Sequence, residues 1–523
     1  MYVSNRIETL DGVTLASIVM ATDANKDVLR GIGLLTEDAK DTGPNDLIIA
    51  VKAESADALD EAIAMADRLL KPAAAAIGEA EVAPRSFDSA LGLMPDANFV
   101  LISVPGAFAK LEALRALRNG LNVFLFSDGV LIQDELELKQ IAREKGLLMM
   151  GPECGTAIIN NVGLGFANVV REGSIGIVGA AGTGIQQVAV LIHREGLGIS
   201  QAIGTGGRDL SRHIGGVMTV EGIRALAQDQ KTEVIVLISK TLHPEVEKKV
   251  LEAVKEVRKP IVVNFLGGSS CAIQEVGAVP ATTLEEAAIR AVSLAKGQTR
   301  KVRLFTKDSA EIISIGEAEY ARLSAKQRYV RGLFSGGSLC HEAMLILAKL
   351  IGDVYSNVPL EPLLRLKDTA ISQGHTCVDM GEAEFTVGRP HPIIDPSLRE
   401  RRLLQEAEDH ETAVVLLDLV LGYGAHPDPA GVLGMCIEKA KDLADREGRH
   451  LSVVASIVGT DRDPQDLKRQ EEKLLEAGVI VMPSNSQAAR MTALIATRGR
   501  IGNMLFTYPN KLSSGGNSRD GVL

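Results

Sequence analysis

Tryptophan is absent from this 523-residue chain, and only 3% of its residues are aromatic. The interior must therefore be built from aliphatic side chains. Hydrophobic residues at 46% and charged residues at 24% are ordinary globular proportions and exclude a disordered or fibrous chain. A basic excess is also missing. Lys and Arg number 56 against 67 Asp and Glu, a formal net charge of −11, so nucleic acid is not an expected partner. No run of 18 apolar residues occurs, so no membrane span is expected. The opening MYVSNRIETLDGVTL lacks a charged-then-apolar signal pattern, and a cytoplasmic location is expected. The five cysteines (Cys154, Cys271, Cys340, Cys377 and Cys436) form no CxxC pair, and the nine histidines form no HExxH. Neither a metal site nor a disulfide framework is indicated.

Glycine is plentiful, at 51 residues, as many tight strand-to-helix turns require. At roughly 100–200 residues per domain, the length predicts about three to four domains. Residues 1 to about 80 read as a small α+β unit, with strands at 17–22 and 46–53 and a helix at 56–70. The Ala- and Pro-rich stretch 71–86 reads as a linker or an exposed helix. From 99 the rhythm is regular: strands at 99–106, 122–129 and 147–155 alternate with helices at 110–120 and 133–146. It restarts at 174–196 and runs through 233–240, 243–259 and 260–268. A charged stretch, 297–323, precedes a third start at 332–352, with later strands in 413–426 and 450–460. Such alternation predicts parallel sheets covered by helices. The polar tail 510–523 is expected to be disordered.

Two turns carry the sharpest local signal. Gly179-Ala180-Ala181-Gly182-Thr183-Gly184 and Ser335-Gly336-Gly337-Ser338 each follow an apolar strand and open a helix. Backbone N–H groups at a helix N-terminus hold phosphate or carboxylate, and glycine lets the anion approach. The same residues also serve plain turn chemistry, and both readings stand for either loop alone. Neither loop ends in Lys-Ser/Thr, so a nucleoside triphosphate is not indicated. Two such turns at equivalent places suggest a duplicated domain whose helix ends clamp one anion. The phosphate-binding candidates are Gly179, Ala181, Gly182, Thr183, Gly184, Ser335, Gly336, Gly337 and Ser338.

Further candidates surround them. Arg208 follows a third Gly-rich turn containing Gly206 and Gly207. It is either an anion clasp, as a guanidinium binds a dianion bidentately, or a surface arginine. Arg389 and His391, spaced by prolines, either bind an anionic substrate or belong to a rigid loop. His341, on the first turn after the second loop, either approaches the anion or is a neutral capping or core histidine, and Cys340 beside it reads as packing. Gly151-Pro152-Glu153-Cys154-Gly155 reads as a tight turn, and the Lys- and Glu-rich helix 243–259 as a solvated face.

At these residues the chain resembles the succinyl-CoA synthetase superfamily, in particular its FdrA branch of acyl-CoA-synthetase-like proteins. The resemblance rests on FVLISVPGAF (99–108) through LLMMGPECGTAI (147–158), on SIGIVGAAGTGIQQVA (174–189), on residues about 330–500, and on GEAEFTVGRPHPIID (381–395). It implies an α/β, multi-domain architecture: a Rossmann-like half domain followed by two flavodoxin-like doubly wound parallel-sheet domains, with a small N-terminal α+β unit. The implied boundaries are 1–80 for the α+β unit and 81–165 for a truncated CoA-binding-like domain. An α-like ligase domain follows at 166–300, a linker at 301–328, a β-like ligase domain at 329–500 and a tail at 501–523.

In the ligases the two loops hold phosphate near a phosphorylated histidine. Here Glu275, in Gln274-Glu275-Val276-Gly277-Ala278, stands where that histidine would be, and a carboxylate cannot form the same phosphoramidate. No stretch resembles an ATP-grasp domain, and the glycine-rich front of the CoA-binding domain is cut short. The resemblance therefore implies a carbamoyltransferase-type subunit, as in oxamate carbamoyl transfer during allantoin breakdown, where oxalurate and phosphate give carbamoyl phosphate and oxamate, or the reverse. Its implied catalytic residues are Glu275, Arg208 and His391, with Arg389, Gly206 and Gly207 on the substrate. No cofactor is required, and CoA enters only if the chain is instead an acyl-CoA synthetase subunit served by a separate ATP-grasp partner. A non-catalytic anion-binding scaffold is the third reading. Expected partners are small-molecule substrates (phosphate, carbamoyl phosphate, oxamate or oxalurate) and other subunits in a homo- or hetero-oligomer.

Overall fold

The computed structural model describes residues 2–506 except 9, 11, 32, 44–45, 71–83, 85, 241 and 388. Most of the stretch 71–86 and the whole tail 510–523 thus lie outside the described residues. The chain forms two compact units: residues 1–96 with 387–389, and residues 97–386 with 390 onward.

The first unit contains α1 (Tyr2–Glu8), β1 (Val13–Met20), α2 (Asp23–Gly31), α3 (Glu37–Lys40), β2 (Leu47–Ala53), α4 (Ala56–Leu70) and α5 (Phe87–Leu93). β1 and β2 pair antiparallel, with Ile18 opposite Ile49. Alternation sends Ala16, Ile18, Ile49 and Val51 to one face and Leu15, Val19, Ile48 and Ala50 to the other, so each face carries its own small core. Ser86 and Ser89 close a reciprocal cap on α5.

The second unit begins with β3 (Phe99–Ile102), α6 (Gly106–Arg118), β4 (Asn122–Leu125), α7 (Ile132–Glu144) and β5 (Met149–Met150). These three strands form a parallel sheet in the order β3-β4-β5. Next come β6 (Thr156–Ile159), β7 (Val162–Gly165), β8 (Glu172–Gly179), α8 (Gly182–Arg194), β9 (Ile199–Gly204) and α9 (Val217–Gln228). The block continues with β10 (Val234–Ser239), α10 (Pro244–Lys255), β11 (Ile261–Phe265), α11 (Ser270–Glu275), β12 (Val279–Pro280) and α12 (Leu284–Ala295). Their seven-stranded sheet has the order β12-β11-β10-β8-β9-β6-β7. The hairpin β6–β7 joins this sheet antiparallel beside β9. The boundary expected at 165/166 is corrected accordingly, because residues 156–165 complete the second sheet.

The expected linker 301–328 contains α13 (Ser309–Tyr320), and Phe305, Ile312 and Leu323 bury into the shared core. That segment is therefore part of the packed unit. The third block holds β13 (Tyr329–Phe334), α14 (Gly337–Ile351), β14 (Val354–Ser356), β15 (His375–Asp379), α15 (Ala383–Thr386), α16 (Ser397–Glu408) and β16 (Thr412–Val420). It ends with α17 (Pro429–Arg446), β17 (Ser452–Val458), α18 (Leu467–Glu476), β18 (Ile480–Met482), α19 (Asn485–Ala496) and α20 (Gly502–Phe506). Its sheet is wholly parallel, in the order β14-β15-β13-β16-β17-β18. β16 is buried along its entire length, as a central parallel strand covered on both faces must be.

One apolar cluster runs from Ile158 through Val188, Leu339 and Val454 to Leu505 and joins the two larger blocks. Polar bonds reinforce the seam. Asn168 Nδ2 donates to Asp463 Oδ2 at 2.7 Å, and Asn485 Nδ2 donates to Glu342 Oε2 at 2.7 Å. This packing brings the first turns of α8 and α14 together.

Candidate anion site

Each Gly-rich turn leaves the end of an apolar strand, β8 or β13, and enters a helix. The two first turns touch. A Cβ on Gly184 would lie 3.3 Å from Cβ of Ser338. One on Gly336 would lie 2.8 Å from Oγ1 and 2.9 Å from Cγ2 of Thr183, so only glycine lets the loops approach this closely.

The loops differ in what they offer. Ser335 N and Gly336 N both donate to the Asp418 carboxylate at 2.8 Å, and the Ser335 hydroxyl donates to it at 3.0 Å. Asp418, buried on β16, is paired in turn with Arg399 at 3.2 Å. The expectation that Ser335 and Gly336 present donors to a phosphate is corrected: a carboxylate of the chain itself already occupies them. In the first loop no such carboxylate intrudes among the described residues. Gly182, Thr183 and Gly184 open α8 with no side-chain cap, and a helix's first N–H groups have no partner within the helix. Beside them lies Thr156 Oγ1, 3.3 Å from the place of a Gly182 Cβ. Thr156 is buried, and this hydroxyl has no hydrogen-bond partner among the described residues. Gly179 and Ala181 shape the turn; Ala180 N is taken by Ile238 O.

Charged groups cluster over the loops. Lys240, just past β10, places Nζ 3.9 Å from Asp379 Oδ2 and 3.9 Å from Glu382 Oε1. Burial pushes the Asp379 carboxyl up to about 6, against the pull of the Lys240 ammonium. His391 turns Nε2 toward Gly381, beside Ser335 O and Asp379 Oδ1, and its Nδ1 accepts from Ile393 N at 3.2 Å. Burial lowers this imidazole to about 4, so it is neutral near pH 7. His341 is also lowered to about 4, by burial first and by Lys240 second. Cys340 is buried, with its thiol pushed well up, as expected of a packing residue.

Arg208 is anchored rather than free. Its Nε lies 3.0 Å from Glu135 Oε2, and its NH2 donates to Val130 O at 2.9 Å. Glu153 stands 4.0 Å away in a left-handed conformation (φ 56°); burial raises its carboxyl while Arg208 lowers it. Beneath them Lys139, fully buried, donates to Glu135, Thr205 O and Asp209 at 2.8–2.9 Å. Gly206 (φ 87°) packs against the 151–152 turn, where a Cβ would lie 2.3 Å from Pro152 O, whereas Gly207 is exposed. Two expected residues make no hydrogen bond or ion pair with the loops among the described residues. Glu275 is exposed at the last position of α11. Arg389 is exposed and falls with residues 1–96.

Lys240, Asp379, Asp418 and Thr156 went unnoticed in the sequence reading. Asp418 had a visible signal, a lone charge inside the apolar run Ala413-Val414-Val415-Leu416-Leu417-Asp418-Leu419-Val420. Lys240, ending Leu237-Ile238-Ser239-Lys240, had a weaker one.

Comparison with known proteins places this geometry in a family. The CoA-ligase profile matches residues 333–495, the CoA binding domain profile residues 170–267, and the profile described as AllF, heavy metal-associated domain, residues 1–84. The uncharacterized protein YahF of Escherichia coli is 45% identical over 499 residues, covering 95% of this chain and 96% of that protein. The chain belongs to the FdrA family of acyl-CoA-synthetase-like proteins. The FdrA-family chain is also 30% identical over 177 residues to the succinate–CoA ligase (ADP-forming) subunit alpha 2 of Archaeoglobus fulgidus, covering 33% of this chain and 60% of that subunit. The ATP citrate lyase structure from Methanothrix soehngenii, with citrate and coenzyme A, aligns at 14% identity and a TM-score of 0.34 over 84% of this chain and 89% of that one.

The CoA binding profile falls inside the block expected at 166–300 rather than on 81–165. The half domain's first turn, Ser103-Val104-Pro105-Gly106, lacks the run of glycines that lets a pyrophosphate approach, so no step through CoA is derived there. Residues 1–84 contain neither cysteine nor histidine, so that unit offers no thiolate or imidazole ligand to a heavy metal. Among the described residues no group of three His, Cys, Asp or Glu side chains could hold a metal. Nor is any described helix long and apolar enough to cross a membrane.

Proposed function

We propose that the chain is the anion-handling subunit of an enzyme that moves an acyl-type group to or from phosphate. One observation carries this reading. The first turn of α8 opens without a side-chain cap beside the buried Thr156 hydroxyl, which has no hydrogen-bond partner among the described residues; the first turn of α14 also opens without a side-chain cap, but Asp418 takes the Ser335 and Gly336 amides before it. One phosphate sits on Gly182, Thr183 and Gly184, held by their N–H groups and the positive end of the helix. The chain contributes positioning and electrostatic stabilisation in a partly dehydrated site.

Two reactions fit. The likeness to succinate–CoA ligase α subunits and the CoA-ligase profile support an acyl-CoA synthetase subunit that draws its nucleotide site from a separate partner. The second is carbamoyl transfer between oxalurate and phosphate. It is favoured by Glu275, the residue that the resemblance aligns with the phosphorylated histidine, since a carboxylate cannot form the same phosphoramidate. In that reaction a phosphate oxygen attacks the carbamoyl carbon. The C–N bond to oxamate breaks, and the proton leaving phosphate ends on the oxamate nitrogen.

The experiment pairs the purified chain with candidate partner subunits. Phosphate-dependent formation of carbamoyl phosphate from oxalurate supports carbamoyl transfer. Thioester formation that needs ATP and CoA supports the ligase. Neither product under any subunit combination rejects both and leaves the scaffold reading.

A further inference from the structure

Lys240 makes no hydrogen bond through its ammonium among the described residues, although it stands amid charged groups. β10 lies beside β8 in the sheet, so residue 240 emerges next to the α8 loop and its side chain reaches toward the third block. Its Nζ lies 2.6 Å from where a Gly337 Cβ would be: the lysine occupies the volume that a side chain at 337 would need. Asp379 and Glu382 stand 3.9 Å away on the other side, near enough to hold the charge but beyond hydrogen-bond distance. The side chain is 36% exposed, so a ligand can reach it.

We propose that Lys240 is the binding residue for the carboxylate of a small organic acid, in a subsite next to the phosphate on α8. This rests on the anion-site reading above and adds a second, differently charged occupant. The ammonium makes no hydrogen bond among the described residues, and its partial exposure gives a ligand access to it. The selection between anions follows from charge. Asp379 and Glu382 beside Lys240 repel a dianion more strongly than a monoanion, whereas no carboxylate bonds to the first turn of α8 among the described residues. Phosphate therefore prefers α8 and a monocarboxylate prefers Lys240. Both reactions proposed above involve such an acid, as substrate or as product.

The test uses the full chain and its variants Lys240→Gln and Lys240→Arg. Each is titrated calorimetrically with the monocarboxylates oxamate and acetate and with inorganic phosphate, and its melting temperature is recorded. The wild type is expected to bind at least one of the two acids. Lys240→Gln should weaken that binding at least roughly tenfold, the loss of a charge-assisted hydrogen bond, and Lys240→Arg should restore part of it. Phosphate affinity should fall less than carboxylate affinity, and the Lys240→Arg variant, which keeps the charge beside Asp379 and Glu382, separates lost binding from lost ion pairs. Equal carboxylate binding by Lys240→Gln and wild type overturns the assignment, as does a wild type that binds neither acid. If phosphate still binds in those cases, only the Lys240 subsite fails; if the wild type does not bind phosphate either, the anion-site reading fails with it.

Discussion

A carboxyl group withdrawn from water resists ionisation, and Asp379 is such a group at the centre of the site. Its folded-state value of about 6 lies above its ordinary 3.8, so the folded chain holds the proton that the unfolded chain has already released. Stability contributed by this proton is present at low pH and is lost as pH rises from about 4 through about 6. The Asp379→Asn variant carries no such proton. Its stability relative to wild type should rise by roughly 2 kcal/mol between pH 4 and 6.5 and then level off. Urea denaturation across that range checks this, and a difference independent of pH would contradict it. His391 has the opposite sign: lowered to about 4, it favours the fold above 6.5 and loses that contribution as pH falls through 4. Measuring the variant against wild type cancels the histidine contribution.

The elements that matter most are the two strand–loop–helix units, and their seating is steric. Thr183 fills the space over Gly336, so Gly336→Ala forces backbone or side chain to move. Overpacking of this kind typically costs about 1–3 kcal/mol. In a Thr183→Gly background the same substitution should cost clearly less, because the colliding atoms are gone. A double-mutant cycle by chemical denaturation measures the difference, and additive effects would mean that the loops do not bear on each other. The units themselves were legible in the sequence, since an apolar run, a glycine cluster and a helical period are local properties. Their inequality was not. Ser335 and Gly336, like Ala180 and Ala181, precede a helix left without a side-chain cap, and only when β16 is laid beside β13 does Asp418 reach both amides. Arg208 looked free for the same reason, as Glu135 lies 73 positions away in the chain.

Across the whole molecule the cores are unequal. Residues 1–96 bury two small clusters around Leu29 and Ala62, whereas one continuous core joins the blocks from 156 to 506. Calorimetry should show one large cooperative transition for residues 97–506 and a separate, smaller one. At about 0.7 kcal/mol per residue near 60 °C, the smaller should carry roughly 70 kcal/mol. Deleting residues 1–96 should remove the small transition and leave the large one. Separate melting of the blocks around β8 and β13 would contradict a shared core.

The sequence alone determined the α/β class, the block order and the two Gly-rich turns, because strand and helix periods and glycine's freedom act over a few residues. Its composition also argued against a nucleic-acid partner. Only the tertiary structure decided which amides are taken. It gave the Ser335 and Gly336 amides to Asp418, left the Thr156 hydroxyl without a partner among the described residues, brought Lys240 between the blocks and left Glu275 at an exposed helix end. Those outcomes depend on which strands become neighbours, and neighbours are set by burying the shared core rather than by any local pattern.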